Sequence, residues 1–187
     1  MEITLIRHGR SSHNDERRMA ISDFKDWVKK YNRNGIIMNE MCPPETADLA
    51  NSAAFLYTSD LQRSIESARK INPAANIKAD PLFRETELPS AANRLMALKL
   101  KPNSWAVLLR ILWFLGYSSG CESYREAQIR AKHAALKLIT YANEHHAAIL
   151  VGHGIFNMMI AKELQKMGWK GKRKTGSSHW NAATYKP

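Results

Sequence analysis

Only two cysteines, Cys42 and Cys121, occur in the 187 residues. They stand far apart with no partner motif around either, which argues against a disulfide framework or a zinc site and fits a reducing cytoplasm. Long hydrophobic runs are also missing: the longest apolar stretch, 105–117, is interrupted by Arg110 and is too short to span a bilayer. The N-terminus opens at once on strand-like sequence, without the basic start, apolar stretch and cleavage site of a signal peptide, so export is not expected. Acidic residues are few, 17 against 28 lysines and arginines, giving a net charge of +11 and a pI near 9.8. That balance favours polyanions, phosphorylated substrates and nucleic acid as partners, although part of the excess can serve solubility alone. What is present is ordinary for a soluble globular chain, with 44% hydrophobic and 24% charged residues, and the length suits one domain with a full core.

Near the N-terminus, Ile3-Thr4-Leu5-Ile6 reads as a short buried strand that breaks off into Arg7-His8-Gly9. The glycine allows a sharp turn, so Arg7 and His8 stand at the end of the strand, where open α/β sheets place ligands. A second buried strand, 54–58, is cut off by Ser59-Asp60, and a third, 147–151, ends in Gly152-His153-Gly154, an echo of the first. A shorter strand is expected at 76–79 and a last one at 180–185.

Helices are expected between these strands. Phe24, Trp27, Val28 and Tyr31 fall at i, i+3, i+4 and i+7, with Ser22 placed to cap the start. Residues 32–44 read as loop and 45–52 as a helix begun by the proline pair. A helix over 61–71, capped by Ser59 or Asp60, carries Arg63 in its first turn. Ala127, Ala131, Ala134, Leu138 and Ala142 form a seam within 122–142 that allows close approach to a sheet, and 155–167 forms the next helix. Strands alternating with helices predict an α/β fold with a mainly parallel sheet covered on both faces. The 82–120 segment differs in texture, rich in Leu, Trp and Met, and is expected to form a small helical, cap-like insertion over the site within one domain spanning 1–187. Trp105, Leu108 and Trp113 offer apolar contact there, or belong to the core.

If the two strands ending in His-Gly are parallel neighbours, His8 and His153 stand side by side, joined by Arg7 and by Arg63. Two imidazoles among two guanidiniums make a poor metal site, because the arginines repel a cation and no carboxylate or thiolate is tied in at ligand spacing. They suit a phosphoryl group, whose oxygens guanidinium binds in bidentate fashion and whose transition-state charge fixed cations stabilise. One histidine can then act as nucleophile, since neighbouring positive charge lowers its pKa and keeps a ring nitrogen unprotonated.

Leu5-Ile6-Arg7-His8-Gly9 with Asn14, then Ser59-Asp60-Leu61-Gln62-Arg63 with Ala68, then Val151-Gly152-His153-Gly154 together resemble the histidine phosphatase superfamily, the phosphoglycerate mutase-like proteins. The match keeps its order across nearly the whole chain. The resemblance implies a phosphoglycerate mutase-like fold, phosphorylation of His8 during turnover, and Arg7, Arg63, His153 and Asn14 as phosphate ligands. It also implies an acid, supplied after the 76–79 strand, that protonates the leaving oxygen and then activates water. Glu85 is the choice for that role, with Glu87 as the alternative in the same turn. No metal or other cofactor is implied. The implied activity is that of a phosphoric monoester hydrolase of the histidine acid phosphatase type, acting on a phosphorylated small molecule or phosphoprotein. Mutase-type transfer is the alternative, disfavoured because the mutase branch carries a longer insertion than 82–120, and a catalytically weak phospho-ligand binding protein is the other.

The chain departs from the family pattern at Arg10, where an acidic or amide residue is usual, and at Leu88-Pro89-Ser90, where a glycine-rich stretch is common. His13, His133, His145, His146 and His179 are read as solvated or structural. Gly116-Tyr117-Ser118-Ser119-Gly120 matches a nucleophile elbow but follows helical rather than strand sequence, so its glycines are read as a helix stop. The basic 166–174 segment lacks any accompanying nucleic-acid motif and is expected to be a solvated or substrate-attracting loop.

Overall fold

The computed structural model describes residues 1–51, 53–90, 97–173 and 175–187. In chain order the elements are β1 (Glu2–Arg7), α1 (Ile21–Arg33), α2 (Pro44–Asn51), β2 (Phe55–Thr58), α3 (Gln62–Ile71), β3 (Asn76–Ala79), a 3-10 turn (Pro81–Phe83), α4 (Pro102–Phe114), α5 (Tyr124–His145), β4 (Ala147–Gly152), α6 (Gly154–Lys166), β5 (Lys170–Gly171) and β6 (Ala182–Lys186). One six-stranded sheet has the order β3-β2-β4-β1-β6-β5. The first four strands run parallel, and β6 and β5 add an antiparallel edge.

Alternation along the strands divides the core. Ile3 and Leu5 of β1, with Ala148 and Leu150 of β4, face α5 and α6 and bury against Ala131, Ala134, Leu138, Phe156 and Ile160. Ile6, Ile149 and Val151 face the opposite side, against Ala50 of α2 and Ala68 and Ile71 of α3. The alanine seam of α5 is fully buried, and its small side chains let the helix lie close to the sheet. Ser123 starts α5 with a reciprocal capping box, its Oγ accepting from Glu126 N and Glu126 Oε2 accepting from Ser123 N.

Local structure departs from the sequence expectation at several points. Ser22 lies inside α1, whose N-cap is Ala20. Neither Ser59 nor Asp60 takes the cap position of α3, which is Leu61; Ser59 Oγ accepts from Leu61 N at 3.3 Å and Asp60 pairs with Arg84. The last strand begins at Ala182, two residues later than expected, because Trp180 adopts a left-handed backbone. Of the expected 45–52 helix, Ser52 lies outside the described residues, as do residues 91–96 of the 82–120 segment and Lys174 of the basic loop. Gly116 and Gly120, both with positive φ, close α4 and the turn beyond it, so the Gly-x-Ser-x-Gly stretch follows a helix and no elbow forms.

Within 82–120, α4 packs on α1, where Trp105 and Leu109 join Ile21 and Phe24 in a third apolar cluster. Trp105 and Trp113 are fully buried, so they supply core rather than a pocket wall. Leu108 packs partly buried against the same cluster.

Candidate active site

Parallel pairing of β1 with β4 sets Arg7 opposite Gly152, so each chain leaves the sheet at the same level. Beyond β1 the chain passes toward α1, while beyond β4 it enters α6, leaving a crevice at the carboxyl ends of two neighbouring strands. His8 and His153 fill that crevice with their ring centroids 5.0 Å apart. The Arg7 guanidinium lies beside Gly154, where a β-carbon would make only ordinary van der Waals contact with it. Gly9 is required, since a β-carbon there would overlap the Trp180 indole.

The hydrogen bonds of His8 define its tautomer. Nδ1 lies 2.6 Å from the Gly9 carbonyl, which can only accept, so Nδ1 carries the proton. Nε2 then presents a lone pair and accepts from Arg63 Nε at 3.2 Å. Burial, followed by the charge of Arg63, pushes His8 well below the ordinary histidine range, so the ring is neutral at pH 7.

His153 is fully buried and is depressed for the same two reasons in the same order. Its Nε2 lies 2.7 Å from Ser59 Oγ, and among the described residues that hydroxyl has no other acceptor for its proton. Donation from Ser59 leaves the imidazole proton on His153 Nδ1, a buried atom with no partner among the described residues. Arg7 Nε is likewise buried and without a partner there, while Arg7 Nη1 donates to the Ser177 carbonyl.

Arg63 reaches the site from the first turn of α3. Its Nη1 donates to Tyr31 O at 3.3 Å and Asn32 Oδ1 at 3.1 Å, and its guanidinium lies 4.6 Å from the Tyr31 ring centroid. Tyr31 stacks on Trp27, and Trp27 packs against His13, whose ring lines a cavity of about 410 Å³ with Asp15, Arg17 and Lys30.

Glu85 is brought to the same place by α6. Its Oε2 accepts from Ile155 N at 3.0 Å and its Oε1 from Phe156 N at 2.9 Å, so the carboxylate occupies the start of the helix that follows His153. The turn carrying it is gripped from both sides. Arg130 of α5 donates to the Leu82 and Arg84 carbonyls and lies over the Phe156 ring, and Arg110 of α4 donates to the Thr86 and Glu87 carbonyls. Glu87 itself is exposed. Arg84 adds a bidentate pair to Asp60 at the end of β2, with N···O distances of 2.6 and 2.5 Å.

Arg7, His8, Arg63, His153 and Glu85 therefore converge. Asn14 does not join them: past the Ser11–Ile36 bridge the chain turns outward, and Asn14 is exposed with no hydrogen bond to the cluster among the described residues. Arg10 is mostly exposed and paired with Glu40, which also accepts from the Arg10 backbone N–H. His179, read from sequence as solvated or structural, is half-buried with its ring 5.6 Å from that of His8. Its position follows from the pairing of β6 with β1, because the N-terminal flank of a strand antiparallel to β1 must lie at the carboxyl end of β1.

The family model described as the histidine phosphatase superfamily (branch 1) matches residues 3–185. The chain belongs to this superfamily. As a histidine phosphatase superfamily member it is similar in fold to the phosphoglycerate mutase from Bacillus anthracis, at 14% identity and a TM-score of 0.61, covering 100% of this chain and 88% of that one. It is also similar to the mycobacterial glucosyl-3-phosphoglycerate phosphatase, at 18% identity and a TM-score of 0.60, covering 88% of this chain and 79% of that one. At these identities the likeness concerns the fold of the superfamily member. No curated protein sequence matches it. No helix of the described residues is long and apolar enough to cross a membrane.

Proposed function

We propose that the chain is a phosphomonoesterase that hydrolyses a phosphorylated small molecule or phosphoprotein through a covalent phosphohistidine on His8. The observation that carries this reading is the presentation of His8 Nε2, unprotonated and aligned by Arg63, among cationic and N–H donors that lack partners of their own.

In the first step the Nε2 lone pair attacks phosphorus, the P–N bond forms, and the P–O bond to the leaving group breaks. Arg7, Arg63 and His153 Nδ1 donate to the non-bridging oxygens as charge develops on them. Glu85 delivers its proton to the leaving oxygen. In the second step Glu85 accepts a proton from water, the water oxygen attacks phosphorus, and the P–N bond breaks to release orthophosphate and restore His8. The leaving group is assigned to the side of Tyr31 and Trp27, whose stacked rings begin at the Arg63 guanidinium and suit a flat or apolar part.

Release of orthophosphate from an aryl phosphate tests the activity. The wild type is expected to turn over steadily, to be unaffected by a chelator, and to lose turnover on His8→Ala. Dependence on an added bisphosphorylated acceptor instead of water would mark a mutase. Binding of orthophosphate without any turnover would mark a phospho-ligand binding protein.

A further inference from the structure

We propose that His179 is a further residue of the phosphoryl site, donating an imidazole N–H to the phosphoryl group from the Arg7 side of His8. The inference rests on the reading of Arg7, His8, Arg63 and His153 as that site, and it adds a side chain from the segment entering β6 that no quoted motif contains.

The first observation is position. The His179 ring centroid lies 5.6 Å from that of His8, tilted by 53°, close to the 5.0 Å that separates His8 from His153. His8 thus has one imidazole neighbour from the end of β4 and another from the approach to β6.

The second is how the backbone holds it there. Trp180, next in the chain, has φ +62°. A bulky L-residue in the left-handed region is strained, and such strain persists only where the surroundings enforce it. Every polar group of Trp180 is held. Its N donates to Arg7 O at 3.0 Å, its carbonyl accepts from Thr46 Oγ1 at 2.9 Å, and its Nε1 donates to Glu40 Oε2 at 3.1 Å. The indole packs where a Gly9 β-carbon would be. Either side of His179 is also tied to Arg7, through the Ser177 carbonyl and through Arg7 N to Asn181 O. A strained segment pinned by Thr46, by Glu40 and by Arg7 aims one side chain, His179, and that side chain makes no hydrogen bond among the described residues.

The third is charge. Burial and then Arg7 hold His179 at a pKa of about 4, so at neutral pH the ring is uncharged and carries one N–H. A neutral donor adds a hydrogen bond to the phosphoryl oxygens without placing another buried cation against Arg7. Together with Arg7 Nε and His153 Nδ1 it forms a set of donors with no protein acceptor among the described residues, which an oxyanion would complete.

Orthophosphate affinity, measured by calorimetry, tests this directly, with kcat and KM for an aryl phosphate alongside. His179→Ala is expected to weaken orthophosphate binding roughly 10- to 100-fold, the effect of removing a hydrogen bond to a charged group. His179→Gln, which keeps an N–H donor, is compared with His179→Met, which matches it in length and lacks one. Orthophosphate bound at least about fivefold tighter by the Gln variant than by the Met variant supports the donor role. Equal affinity in the two, or wild-type affinity in the Ala variant, overturns it. Should the wild type bind orthophosphate without hydrolysing the ester, the phosphatase reading fails while the Gln–Met comparison still decides His179. Should it bind no orthophosphate, both fail.

Discussion

Arg63 and His8 are joined nitrogen to nitrogen, Nε to Nε2 at 3.2 Å, so the guanidinium both aligns the lone pair of His8 and is the largest charge effect holding that ring neutral. Arg63→Ala is expected to lower kcat/KM by about 100-fold or more through loss of a charge-assisted phosphate contact, and to move the acidic limb of the pH–rate profile upward. Arg63→Lys keeps the charge without the rigid fork, so it should keep the limb near its wild-type position while still binding phosphate less well. An acidic limb unmoved in Arg63→Ala would count against this coupling.

The Glu85 turn gives a second test, at a distance from the phosphate. Arg130 holds the Leu82 and Arg84 carbonyls just ahead of Glu85 and lies over the ring of Phe156, whose N–H donates to Glu85. Arg130→Met should therefore lower kcat by roughly tenfold or more, by misplacing the acid, while leaving orthophosphate affinity near wild type. A loss of orthophosphate affinity as large as the loss of kcat would show instead that the whole crevice had moved.

Gly9→Ala places a β-carbon into the Trp180 ring. Overpacking of this kind costs about 1–3 kcal/mol, read as a lower urea midpoint. Because Trp180 also positions His179 and contacts Glu40, turnover should fall further than the loss of stability explains. Full activity at wild-type stability would mean that the indole is free to leave.

Acid should destabilise the fold through His8 and His153. Both have folded-state pKa values well below the ordinary histidine value of 6.5, so between those values and 6.5 the unfolded chain binds more protons than the folded one. Stability is thus greatest above pH 6.5 and falls as pH drops toward the folded values, by up to about 1.4 kcal/mol per pH unit for each group. Urea unfolding at pH 7.5, 6 and 5 should show this slope, and His8→Gln should remove one group's share. A flat profile would contradict burial of the neutral rings.

The sheet was readable because its strands are short apolar runs ending in polar chemistry, and the repetition of His-Gly after β1 and β4 anticipated their adjacency. The alanine seam of α5 was equally plain, since only close packing on a sheet explains five small or apolar residues at that spacing. Ser59 has the local signature of a cap, and its Oγ does accept from Leu61 N, but Leu61 takes the cap position of α3 and the hydroxyl also bonds the buried His153 imidazole. Trp105 and Trp113 could not be assigned to pocket or core from their own helix, which is apolar nearly all round. His179 escaped because nothing near it in the chain is catalytic; its place depends on the antiparallel pairing of β6 with β1 and on the left-handed Trp180. Arg10, the departure from the family pattern, is now tied to Glu40 and through it to Trp180.

Turnover by this route requires one bond, between phosphorus and His8 Nε2. Rapid mixing of the protein with an aryl phosphate, alkaline quench and peptide mass spectrometry would read it directly. A single acid-labile phosphoryl adduct on the peptide containing His8, absent from His8→Ala, is the expected result. Turnover with the adduct on another residue, or undiminished turnover in His8→Ala, would contradict it.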